Sequence, residues 1–140
     1  RRQTEAEERL LRRQALLEAK ARLLGRVTAA AKDAVAALPD DQYLTFLVNL
    51  VVGAAPRGEA EVVLSGHDRS RFGARLVEEA TRELSARGID ARLVLAPEAA
   101  DLSGGVRLRG AAFEIDCSLE RLLELAAEEL EPDVARLLFA

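Results

Sequence analysis

Residues 104–130 read GGVRLRGAAFEIDCSLERLLELAAEEL, and within this one stretch the hydrophobic period changes from that of a strand to that of a helix. Val106 and Leu108 alternate with Arg107 and Arg109, and Phe113, Ile115 and Cys117 alternate with Glu114 and Asp116. Alternation of this kind marks two half-buried strands, and Gly110 between them supplies the turn of a hairpin. From Leu119 the spacing lengthens: Leu119, Leu122, Leu123, Ala126 and Leu130 share one helical face behind Ser118, a residue suited to cap it. Paired strands running directly into an amphipathic helix place the chain in the α+β class.

Upstream, further elements extend the pattern. Ile89, Ala91, Leu93 and Leu95 alternate with Asp90 and Arg92 in a third strand, and Glu61 to Ser65 form a short fourth. Between these two strands a helix is predicted over about Asp68 to Arg87, with Phe72, Leu76, Val77, Ala80 and Leu84 inward and Gly88 at its C-terminal cap. Another helix runs from Asp40, read as its cap, to about Ala54. Its apolar face is broad (Tyr43, Phe46, Leu47, Leu50, Val51), which marks a core helix. Pro132 is expected to break or restart the last helix, and Val134, Leu137 and Leu138 form a final apolar turn.

Thr4 to Leu38 hold no proline and are rich in Ala, Leu, Glu, Arg and Lys, predicting one helix of about 35 residues, near 50 Å long. Pro39 stops it. Leu10, Leu17 and Leu24 recur at heptad spacing, with Leu16 and Leu23 beside them, although Arg13 and Lys20 occupy positions where a strict heptad wants apolar side chains. So polar a helix start does not belong in a core, yet its leucine seam does not belong in water. It asks for a partner helix. The expected organisation is a protruding helical arm over residues 1–38, coiled with a partner in its N-terminal part, and a globular α+β domain over 39–140.

Composition narrows the function. The chain has 140 residues, 49% apolar and 31% charged, with net charge −4, a globular profile without the basic footprint of nucleic-acid binding. Residues 1–24 mix seven positive with four negative side chains and no aromatic, the pattern of charges flanking a coiled-coil seam rather than a stacking surface. One cysteine cannot form an internal disulfide, and the longest apolar stretch, Tyr43 to Ala55, is too short to cross a bilayer. There is no apolar leader, and methionine is absent even from position 1, so the sequence is expected to be a fragment of a longer chain.

Catalytic chemistry finds little material. His67 has no neighbouring nucleophile in sequence, and with Cys117 it is the only residue of its type, too few for a zinc site. Cys117 reads as a small buried thiol on the apolar face of a strand. Ser103 to Gly105 lead into a strand, not a helix, so they make a turn and not a phosphate cradle. Glu120, Glu124 and Glu128 share a helix face, which by itself reads as a solvated acidic surface. No catalytic, cofactor-binding or metal residue is expected.

The residues that carry a resemblance lie at both ends. RRQALLEAKARLL followed by LPDDQYLTFLVNLV resembles the start of the E-subunit globular domain of V-type and A-type rotary ATPases. The end of the chain is similar to that family's C-terminal signature: glycines, strand, turn, strand, acidic helix, then Gly104, Gly105, Glu131, Pro132, Val134, Ala135, Leu138 and Phe139 at matching places. Cys117–Ser118 depart from a pair that is more often polar there. The resemblance implies a four-stranded mixed sheet and a C-terminal fragment of a non-catalytic peripheral-stalk (stator) subunit of a proton- or sodium-translocating ATPase or ATP synthase. It implies pairing with a helical G-type stalk subunit, docking to a B-type subunit of the catalytic head, and a cytoplasmic location peripheral to the membrane, without membrane insertion or nucleic acid.

On these readings Leu10, Leu16, Leu17, Leu23 and Leu24 form the partner-helix interface. Val134, Leu137, Leu138 and Phe139 either seal the domain's core or dock to the head; the core role is favoured, because terminal helices commonly tie down chain ends. A generic coiled-coil adaptor unrelated to ATPases is the alternative that the residues leave open.

Overall fold

The computed structural model describes residues 2–139. In chain order they form α1 (Arg2–Ala36), α2 (Asp40–Ala54), β1 (Gly58–Val63), α3 (Gly66–Ala86), β2 (Ala91–Leu95), β3 (Gly105–Arg109), β4 (Glu114–Ser118) and α4 (Leu119–Phe139). Contacts group them into two compact units: Ala37–Leu122, and a second unit that joins α1 to α4 from Leu123 onward. The later part of α4 thus groups with the long helix, whereas the sequence pattern assigns it to the globular domain.

In the unit 37–122 the four strands make one mixed sheet in the order β2-β1-β3-β4. β1 runs parallel to β2 and antiparallel to β3, and β3–β4 is the expected hairpin, with Arg109 opposite Glu114 and Gly105 opposite Ser118. Its turn is longer than a two-residue loop. It spans Gly110 to Phe113, closed by the Gly110 amide donating to the Phe113 carbonyl at 3.0 Å, so Phe113 belongs to the turn instead of the strand. Register decides the faces. Ala60, Val62, Leu93, Val106 and Leu108 point into a core with Leu47 and Val51 of α2 and Phe72, Leu76, Ala80 and Leu84 of α3.

Helix ends show how local chemistry sets the boundaries. The N-cap of α2 is Pro39 and not Asp40; Asp40 sits in the first turn, where its charge suits the helix dipole and its carboxylate pairs with Arg71 at 2.5 Å. α3 begins behind Ser65, whose hydroxyl accepts from the Asp68 amide at 3.1 Å. It ends in a Schellman arrangement: Gly88 has φ 73, its amide donates to the Ser85 carbonyl, and the Ile89 amide to the Leu84 carbonyl. α4 is capped by Ser118, which accepts from the Arg121 amide at 3.2 Å. Pro132 does not break it, correcting the sequence expectation. The proline leaves the Glu128 carbonyl without its helical donor, but Glu128 is exposed and water can satisfy it.

A polar joint lies inside this unit. Tyr43 on α2 donates its hydroxyl to the Asp68 carboxylate at 2.5 Å and accepts from the Gly105 amide at 3.2 Å. Asp68 is only 5% exposed. Burial of the phenol, then the bond to Asp68, push its ionisation well above the ordinary value of 10.0. Gly104 lies close to the same phenolic oxygen: a Cβ there would be 3.1 Å from it. Gly105 has φ 75, and a Cβ on it would lie 2.4 Å from the Cys117 carbonyl oxygen.

Two outcomes follow for stability. Gly105→Ala is expected to cost more than about 1 kcal/mol, because it combines a left-handed backbone with a backbone clash. Gly53→Ala, in α2 with open space around its Cβ position, is expected to stabilise by about 0.5–1 kcal/mol; urea unfolding of the two variants checks both signs. Tyr43→Phe is expected to cost about 1–3 kcal/mol by leaving the Asp68 carboxylate short of a donor. Because the raised pKa favours the neutral phenol in the fold, the tyrosine's contribution is complete below its unfolded value of 10.0 and is lost as pH rises through the folded value. Tyr43 is the single tyrosine and tryptophan is absent, so near-ultraviolet phenolate absorbance reads it directly. Ionisation near pH 10 in the folded protein would contradict this account.

Candidate interaction surface

The leucines of α1 do not behave as one seam. Leu16, Leu23 and Leu24 are half-buried, whereas Leu10 and Leu17 are 57% and 47% exposed. The reason lies in the unit that α1 shares with the end of α4. Lys20, at a heptad position that favours an apolar residue, gives its ammonium to Glu131 on α4 at 2.7 Å. Val134 of α4 is buried, Leu138 half-buried, and Phe139 lies with Leu16 and Leu17 in a common groove. The stripe through Leu16, Lys20 and Leu23 is therefore used within the chain. Leu10 lies on the part of the helix surface that stays open, and Leu17 borders the groove with about half of its surface in water. Two apolar residues that sequence reasoning passes over, Leu11 and Val27, are also exposed, at 65% and 41%. The signal was available: both are large aliphatic residues on a helix whose apolar positions outnumber one heptad stripe.

The four terminal residues divide in the same way. Val134 is interior and Leu138 partly so, but Leu137 is 80% exposed and Phe139 retains 44% of its surface. On a helix, Val134 and Leu138 are four apart and share a face, while Leu137 turns away from it. A uniform apolar plug is not what the helix makes.

His67 is largely exposed, with its Nδ1 3.3 Å from the Asp68 carboxylate. Asp68 itself is engaged by Tyr43. Cys117 is half-buried against the core, and burial, then the neighbouring Asp116 charge, push its thiol up and away from the reactive thiolate. Ser103 and the glycines close the junction of β3 and α4: the Ser103 amide donates to Glu120 at 2.7 Å, and the Leu119 amide to the Gly104 carbonyl at 2.9 Å. In the acidic run, Glu131 binds Lys20 and Asp133 pairs with Arg136. Among the described residues no group of three or more histidine, cysteine or acidic side chains is arranged to hold a metal ion, and no helix is long and apolar enough to cross a membrane.

Comparison with known proteins gives a consistent result. The family described as ATP synthase (E/31 kDa) subunit matches residues 1–139. The chain is 32% identical over 102 residues to the V-type ATP synthase E subunit of Acetivibrio thermocellus, covering 73% of this chain and 52% of that protein. It is 30% identical over 123 residues to the V-type proton ATPase E subunit of Thermoanaerobacter pseudethanolicus, covering 88% of this chain and 62% of that one. A V-type ATP synthase E subunit of Clostridium botulinum is 27% identical over 124 residues, covering 89% and 62%. The chain thus spans between 52% and 62% of the length of these relatives.

Proposed function

The chain belongs to the ATP synthase (E/31 kDa) subunit family, and from that premise we propose that it serves as a non-catalytic part of a peripheral stalk. In this role α1 pairs with a second, largely helical stalk subunit of the G type. The α+β unit docks to a B-type subunit of the catalytic head, and the assembly, peripheral to the membrane, resists the torque of rotation. Family membership supports a place in a multisubunit complex, and the relatives' names support the ATPase setting.

The observation that carries the pairing is the pair Leu10 and Leu17, a heptad apart on a helix of 35 residues and each about half exposed. Apolar side chains repeated at that spacing gain most when a second helix covers them, about 1.5–3 kcal/mol for each leucine fully buried. A stalk needs no reacting group. It needs a stiff element with a cohesive face, and a continuous helix near 50 Å long provides it.

The test uses Leu10→Asp with Leu17→Asp. Both side chains keep about half of their surface in water beside the packing of α1 on α4, so helicity by circular dichroism should stay unchanged. Copurification with a second helical stalk protein and with head subunits should be lost. Retention of both by the double variant on a sizing column would overturn the pairing.

A further inference from the structure

Beyond Leu16, the face of α1 that α4 covers changes character. Lys20 meets a carboxylate from α4, Glu131, across the helix pair. Two and three turns further toward the N-terminus, Arg9, Arg12 and Arg13 continue the same side, spaced i, i+3 and i+4. Together with Leu16, Leu17 and Phe139 they line an open groove of about 440 Å³. Its exposed lining is almost wholly apolar, and three arginines are among the six residues that form it. Glu5 and Glu8 stand one turn before Arg9 and Arg12, the favourable order for pairing, but among the described residues neither these nor any other carboxylate forms an ion pair with the three arginines. The arginines lie at the edge of a surface whose covered part is already met by an acidic helix.

We propose that this groove, formed by Arg9, Arg12, Arg13, Leu16, Leu17 and Phe139, receives an acidic amphipathic helix of the partner subunit, with an apolar side chain seated on Phe139 and carboxylates against the three arginines. Two observations select that occupant. The first is charge: an apolar groove to which three arginines contribute complements a helix that carries carboxylates beside an apolar seam. The second is continuity, since Glu131 on Lys20 shows that a carboxylate-bearing helix fits the adjoining part of this face. Arginine, with its planar fork, suits such pairing better than lysine would. This inference rests on the stalk-pairing reading and adds to it the chemistry and orientation of the partner: the acidic segment must lie at the level of the end of α4.

The experiment uses the 140-residue chain and two designed helical peptides that share one leucine seam. One carries glutamates beside the seam and the other lysines at the same positions. Fluorescence anisotropy at low salt should show the glutamate peptide bound at least about tenfold more tightly, three exposed pairs each adding a modest increment. The preference should shrink toward unity near 1 M salt, where the screening length is about 3 Å. Arg9→Glu with Arg12→Glu and Arg13→Glu should invert the preference, and Arg12→Glu alone should halve it or more. Equal binding of the two peptides, or binding of neither, overturns the proposal. So does tighter, arginine-dependent capture by phosphatidylglycerol vesicles or by a single-stranded oligonucleotide than by the glutamate peptide. Should the peptides show no preference while the stalk protein still copurifies, the acidic docking fails and the pairing stands. Should the preference hold while copurification is absent, the stalk reading fails instead.

Discussion

A buried carboxylate sets the terms for the α+β unit. Asp68 stands in the first turn of α3, where the helix dipole favours a negative charge, but at 5% exposure it also needs donors. Tyr43 meets that need from α2, and the same hydroxyl accepts the Gly105 amide at the start of β3. One oxygen therefore ties two helices to the central part of the sheet. The consequences run outward along the chain. Gly105 presents its amide from a left-handed backbone, a Cβ on Gly104 would crowd the phenol oxygen, and the Gly104 carbonyl receives the first amide of α4. The glycine pair, whose local sequence pattern reads as a turn, is the point at which core, hairpin and the first turn of the last helix meet.

The two faces of the sheet divide labour by charge. Alternate residues feed the core, while the opposite face carries cross-strand pairs: Glu59 with Arg92, Glu61 with Arg109, and Arg107 beside Asp116. Arg109 also reaches Glu98, whose carboxyl is held below its usual range chiefly by that hydrogen bond. Burial raises Asp116, but the Ser118 hydroxyl and amide, with Arg107, outweigh it and hold the carboxyl low. Exposed pairs of this kind contribute little to stability. Their effect is on register: a slip of one residue would break these pairings and turn Val62 and Leu108 outward.

α1 draws its character from two demands placed on one helix. Its leucines exceed what one partner surface can cover, and Arg9, Arg12 and Arg13 find no carboxylate among the described residues. The end of α4 takes up one stripe, through Lys20 and Leu16, and Leu10 and Leu17 each stay about half exposed. Burying large aliphatic side chains is the strongest non-specific driving force available to such a surface, and charge then selects which helix fills it.

Element types were legible in the sequence because each depends on near neighbours. Helix-forming composition and absence of proline determined α1, alternation between Val106 and Cys117 determined the hairpin, and Gly88 determined the end of α3. Family membership could likewise be read from the residue string, at Gly104–Gly105 and from Glu131 to Phe139. Distance along the chain is what hid the rest. That Lys20 meets Glu131, 111 residues on, and that Tyr43 meets Asp68 and Gly105, no local pattern can express, since a hydrogen-bond partner is chosen by the packing of whole elements. Pro132 reads as a break because its missing donor is a local fact. Only the tertiary structure shows Glu128 exposed, where water can reach its freed carbonyl, and Val134 buried two residues after the proline, in a helix that continues. The same holds for the leucine seam: its period is written in the sequence, but which leucines face solvent is decided by the helix that packs beside them.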